Sequence, residues 1–140
     1  MIIILSLLFF CMAYALFEVR VACFIFNDKK ELFLLKNRQD TWGILGGHME
    51  KDEQIEDTVH REAKEEANIN VEIVKQFSLR TVSKLNSFVI GFACKYKSGK
   101  IKLQKEEVGD YKWVKLDELK KYDLTFKELP IEAKKAQELI

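Results

Sequence analysis

Proline occurs once in the 140 residues, at Pro130, and no repeat or low-complexity linker interrupts the chain. Together with an apolar fraction of 48%, that scarcity excludes a disordered polypeptide and leaves a compact globular fold. The length suits one domain with a real core and is too short for two ordinary ones. Net charge is also lacking: 23 Lys and Arg against 22 Asp and Glu leave +1, which sets up no overall field to attract nucleic acid or acidic lipid. No nucleic acid partner is expected, and any electrostatic function must be local. Cysteine is sparse. Cys11, Cys23 and Cys94 lie far apart among apolar residues, which gives neither a disulfide framework nor the paired ligands of a zinc site. They read as small buried hydrophobes in a reducing, cytoplasmic compartment.

The first seventeen residues, MIIILSLLFFCMAYALF, contain no charge, and the first charged residue is Glu18. A signal peptide normally opens with Lys or Arg, and none is present. As a membrane span the stretch sits at the lower length limit of about 17 residues. Residues 1–17 are therefore an apolar extension with several readings: an anchor or uncleaved signal that attaches the protein to a membrane, a segment packed on the domain, or an upstream extension with the true start at Met12.

Residues 18–26, EVRVACFIF, and 31–37, ELFLLKN, read as two strands of a hairpin turning at Asn27-Asp28. Gly43, Gly46 and Gly47 mark a loop where the backbone needs freedom or close approach. From Glu53 to Ala67 the period becomes helical, with Ile55, Val59, Ala63 and Ala67 forming an apolar stripe. Glu53, Glu56 and Asp57 fall in its first turn, where the helix dipole favours acids, and Asn68 suits a left-handed cap. Residues 71–82, 87–97, 100–104 and 111–115 read as strands, LDELKKY as a short helix, and the segment around Pro130 as a terminal helix. The expected class is α/β, a mixed sheet with helices on both faces.

The local charge lies on the first helix. At about 100° per residue, Glu62, Glu65 and Glu66 fall within an arc of roughly 100° beside the apolar stripe. Two such carboxylates about 6 Å apart repel by roughly 3 kcal/mol at an effective dielectric of about 20. Arg61 and Lys64 supply some counter-charge, so a solvated, charge-laced face is one reading; a hard divalent cation held by several carboxylate oxygens is the other. Helix geometry alone does not choose between them.

The spacing does. Gly47, five residues, Glu53, seven residues, then Arg61-Glu62-Ala63-Lys64-Glu65-Glu66-Ala67-Asn68-Ile69 resembles the Nudix hydrolase signature GX5EX7REUXEEXGU, where U is aliphatic. One fixed position departs: Asn68 stands where the family has Gly, and Asn is the next most tolerant residue of a left-handed backbone. TWGILGGHME is similar to the family's entry to the box, with Leu45 replacing a common Pro, and EEVGDYKWVKLDEL to its late strand and helix. The likeness covers roughly residues 18–140, leaving the prefix outside it.

The resemblance implies a Nudix-like α/β/α sandwich and the hydrolysis of a nucleoside diphosphate linked to another group with Mg²⁺, or Mn²⁺. Metal would shield the anionic diphosphate and lower the pKa of the attacking water. By position, Glu62, Glu65 and Glu66 match the family's metal-binding glutamates and the Gly46 carbonyl a backbone ligand. Arg61 would pair with Glu53 and fix its direction, and Gly47 would let the loop pass close to the helix. For the general base, supplied in the family by the box helix or by a later loop, Glu107 is chosen over Glu106. Arg38 and Arg80 are candidates for clamping substrate phosphates or for facing water. His48 and His60 lack partners at ligand spacing and read as passive; Trp42 and Phe88 read as core rather than base-stacking residues. The substrate implied is a small nucleotide, a nucleoside triphosphate first, with ADP-ribose, nucleotide sugars and dinucleotide polyphosphates as alternatives. A nucleotide-binding module without efficient turnover is the alternative of another class.

Overall fold

A computed structural model describes residues 15–104 and 109–140 of the chain. Its strands are β1 (Glu18–Phe26), β2 (Leu32–Lys36), β3 (Trp42–Gly43), β4 (Leu45–His48), β5 (Asn70–Val82), β6 (Ser87–Ser98) and β7 (Asp110–Val114). Its α-helices are α1 (Ile55–Ala67) and α2 (Leu129–Gln137), with short 3₁₀ turns at Ser83–Leu85 and Leu116–Lys121.

Alternation along β1 explains why helices cover both faces of the sheet. Val21, Cys23 and Ile25 point to one face and join Val59, Ala63 and Ala67 of α1 in a core. Ala22, Phe24 and Phe26 point to the other and join Leu129, Ala133 and Ala136 of α2. Strand β2 divides in the same way, Phe33 and Leu35 against Leu32 and Leu34. A period of two in a central strand thus serves two layers at once. The main path runs β3-β2-β1-β6-β5, with β4 added to β1 and β7 to β2. Only the β1–β6 pairing is parallel among these, so the sheet is mixed as expected.

β1 meets β2 at Phe26 and Leu32, and from Cys23 back to Arg20 it pairs instead with β4. This change of partner separates β2 from β4 and opens the sheet beside α1. The expected loop at Gly43, Gly46 and Gly47 is therefore two short strands, with Ala22 opposite Gly46 and Val21 opposite Gly47. Glycine suits them because the backbones approach closely: a β-carbon on Gly46 would collide with the Val21 carbonyl.

Two further expectations are corrected. Helix α1 starts at Ile55, not Glu53; Asp57 Oδ2 accepts the Gln54 N–H, and Glu53 stays outside the first turn because its carboxylate is bonded elsewhere. Residues 100–104 form no strand. Ile101 and Leu103 do alternate inward onto the α1 core, but the amides of Lys102 and Gln104 donate to the carbonyls of Ala67 and Glu66 at the helix end, at 3.0 Å each. An extended chain with one buried side reads as a strand whatever its hydrogen-bond partner. Asn68 closes α1 with φ 56°, and its side-chain amide donates to the Lys100 carbonyl at 3.0 Å, tying that segment to the helix. Among the described residues no helix is long and apolar enough to cross a membrane. The anchor reading and the Met12 start fall almost wholly on residues outside that description.

Candidate active site

Arg61, near the middle of α1, organises the acidic face. Its Nε and Nη2 bond the two oxygens of Glu53, a bidentate pair. Nη2 also donates to the His48 carbonyl at 2.7 Å, tying the helix to the end of β4. Nη1 donates to Glu62 at 2.9 Å and to Glu65 at 3.2 Å. Glu53 receives two more hydrogen bonds at 2.8 Å, from the Glu50 N–H and the Thr58 hydroxyl. The Arg61 hydrogen bond is the main cause that holds the Glu53 pKa down to about 2; the arginine is pushed up by the same bond. Glu53 therefore stays a carboxylate and keeps the guanidinium in place. Thr58, which supports it from inside the helix, carries no signal in the sequence because Thr is ordinary at such a position.

Glu62 is the buried member, 9% exposed. Its carboxylate lies against the Gly47 α-carbon, where any β-carbon would overlap it. The glycine is thus a notch for an anion. Glu66, half-buried, lines a cleft between β2 and β4 with Gly43, Ile44 and Gly46. Glu65 is exposed at the outer edge. Among the described residues no three acidic, His or Cys side chains converge on one point as a finished cage; Arg61 Nη1 spans two of the carboxylates instead. The donor set nevertheless suits a hard divalent cation: carboxylates along one helix edge, a notch that seats one of them, and glycine backbone beside another.

Of the other expected site residues, Arg38 is exposed in the turn after β2, one position beyond Asn37, which lines the cleft together with Lys36. Glu106 and Glu107 lie outside the described residues. His60 is exposed, and His48 Nε2 pairs with Glu18 at 2.9 Å. Trp42 is buried against Tyr122, their ring centroids 5.6 Å apart, which is the core role expected of it; Phe88 packs on Phe17. Cys23 and Cys94 are buried free thiols. Burial pushes both pKa values up, that of Cys94 to about 12, and the neighbouring Cys94, Glu66 and Glu62 raise Cys23 further.

No sequence pattern marks Thr125 and Phe126, which line the cleft from a loop before α2. The loop is docked by the Thr125 N–H on the Trp42 carbonyl at 2.8 Å, by its hydroxyl against that of Thr41 at 3.2 Å, and by the Asn37 side-chain amide, which donates to the Thr125 hydroxyl at 3.3 Å. Only folding brings these residues beside Gly46, so no local pattern could reveal them.

The NUDIX domain model matches residues 16–134. A protein of Mannheimia succiniciproducens named NAD-capped RNA hydrolase NudC is 36% identical over 97 residues, covering 64% of this chain and 36% of that protein. Its namesake from Haemophilus influenzae is 34% identical over 96 residues, covering 69% and 34%. The chain thus spans about a third of the length of these relatives. An ADP-ribose pyrophosphatase from Streptococcus suis shares the fold at TM-score 0.75 and 21% identity, covering 86% of this chain and 90% of that one. A Caenorhabditis elegans Ap4A hydrolase does so at 0.70 and 21%, covering 83% and 93%. With a family model over most of its length and the signature folded as a notched, arginine-bound acidic helix, the chain belongs to the Nudix family.

Proposed function

We propose that this domain, residues 18–140, hydrolyses a diphosphate bond in a nucleoside diphosphate linked to another group. The observation that supports the reading most is the seating of Glu62 in the Gly47 notch beside Arg61. A surface charge cluster needs no such fit, and a buried carboxylate is costly unless it is paired or serves a cation. Nudix hydrolases generally need divalent metal, and we take Mg²⁺ as the ion here, with Mn²⁺ able to replace it. Glu62, Glu65, Glu66 and the Gly46 carbonyl would hold it. When bound, it supplies charge neutralisation of the diphosphate and a lowered pKa for water.

The chain's own groups do the remaining work. Glu53 orients Arg61, and Arg61 in turn fixes the directions of Glu62 and Glu65 and joins α1 to β4. The cleft at Gly46 and Glu66 receives the substrate, with Lys36 and Arg38 beside it as phosphate contacts. Glu107 takes the proton of the attacking water. A nucleoside triphosphate, giving a monophosphate and pyrophosphate, is the leading substrate. A dinucleotide diphosphate of the NAD type is the second reading, favoured by the names of the relatives.

The test is turnover of purified full-length chain with Mg²⁺ on a panel of nucleoside triphosphates, ADP-ribose, nucleotide sugars, NAD and NAD-capped RNA, with products identified by mass. Cleavage of a diphosphate bond in any member is the expected result. Tight binding across the panel without product would replace the hydrolase by a nucleotide-binding module.

A further inference from the structure

Beyond Gly46 the cleft widens, on the α2 side of the sheet, into a cavity of ≈ 380 Å³ that carries two arginines no described carboxylate balances. Arg20 on β1 and Arg80 on β5 are both in register with Val89 on β6, so the three stand in a row across neighbouring strands. Strands about 4.8 Å apart place such a row on one face of the sheet. The Arg80 guanidinium lies 4.7 Å from the centroid of the Phe126 ring. Phe126, with Ile44, Gly46 and Thr125, borders both this cavity and the part of the cleft that holds Glu66. That contact holds the guanidinium in the cavity wall, and a guanidinium on an aromatic ring can still offer its N–H groups to a bidentate acceptor.

The walls around the two cations are Val82, Leu85, Val89, Ile44 and Phe126, with no acid among the described lining residues. Two half-buried cations in apolar surroundings, without a counter-ion among the described residues, call for an anion from the ligand. The diphosphate itself belongs at the Gly46–Gly47 end, beside the acidic helix. We infer that Arg20 and Arg80 bind a third phosphate of the substrate and so select nucleotides carrying three phosphates over those carrying two. This rests on the proposed reading of the cleft as the substrate site. Two sources share that chemistry: a phosphate that continues the chain, and one esterified to the ribose.

Titration calorimetry of the full-length protein with Mg²⁺ tests this through three probes: α,β-methylene ADP, α,β-methylene ATP and adenosine 3′-phosphate 5′-diphosphate. The wild type should bind one of the three-phosphate probes at least about tenfold tighter than the two-phosphate probe. Which one it prefers identifies the source. In Arg20→Gln and Arg80→Gln that ratio should fall to within about twofold. Arg80→Lys keeps the charge and loses the stacked fork, so its ratio should fall by about threefold or more. Thermal unfolding of each variant reports folding, and Arg80→Lys decides if the glutamine variants do not fold. A ratio near one in the wild type, or a ratio unchanged in the variants that fold, overturns the inference. Because binding needs no turnover, a selective wild type that hydrolyses nothing would sink the hydrolase reading alone, and turnover with arginine-insensitive binding would sink this one alone.

Discussion

The Glu62 carboxylate occupies the space where a side chain on Gly47 would begin. Gly47→Ala must push Glu62 off the notch or displace β4, so we expect turnover to drop by about 10–100-fold, the range for losing the support of a metal ligand. Steady-state assays across a Mg²⁺ titration check it. A variant with wild-type rate and wild-type Mg²⁺ dependence would remove the notch from the mechanism.

Glu66→Gln keeps the shape of the side chain and removes its charge. Turnover at saturating Mg²⁺ should fall at least about a hundredfold if the carboxylate holds the ion. Near-wild-type turnover would take Glu66 out of the ligand set.

The Glu53–Arg61 pair gives stability a dependence on pH. Glu53 has its folded pKa lowered from 4.5 to about 2, so its contribution is complete above the unfolded value and fades as pH falls through this window. Arg61→Ala removes the cause. The gap in Tm between wild type and Arg61→Ala should be widest above about pH 4.5 and close toward pH 2, as read by circular dichroism melts. A gap that stays constant over that range would show that the pair does not carry it.

Asn68 stands at φ 56° and also bonds the Lys100 carbonyl. Asn68→Val should destabilise the fold by about 1–2 kcal/mol through the left-handed backbone. Asn68→Gly should relieve that strain while losing the tether, and so fall between wild type and the valine variant. Urea unfolding of the three proteins ranks them; a valine variant as stable as wild type would contradict the backbone argument.

Cys23 and Cys94 are buried, and burial raises both thiol pKa values. In a Cys11→Ser background, a thiol reagent at neutral pH should label the native protein far more slowly than the protein unfolded in guanidinium. Equal rates would mean that the sheet opens around β1 and β6.

What the sequence disclosed was local. The β1 boundaries, 18–26, follow from an uninterrupted β-branched and aromatic run, and the spacing from Gly47 to Ile69 carried the family because helix and loop lengths fix where the carboxylates emerge. What it concealed was pairing at a distance. Gly46 and Gly47 look like loop residues until Val21 and Ala22 are found opposite them. Residues 100–104 alternate like a strand although their partner is the end of α1. Phe126 and Arg80 are 46 positions apart, and only the docked loop makes their contact. Glu53 shows both sides: its tie to Arg61 is implied by the family pattern, while its place before the helix rather than in it goes with four hydrogen bonds to its carboxylate that no periodicity encodes.

Because neighbouring residues of β1 emerge on opposite faces, the Val21 side chain packs in the α1 core while Arg20 stands in register with Val89 of the other core. If Arg20 selects the substrate as inferred above, an exchange at position 20 would change that selection while α1 keeps its packing against position 21. Adjacent codons would then separate the evolution of preference from the preservation of the helix that carries the acidic face.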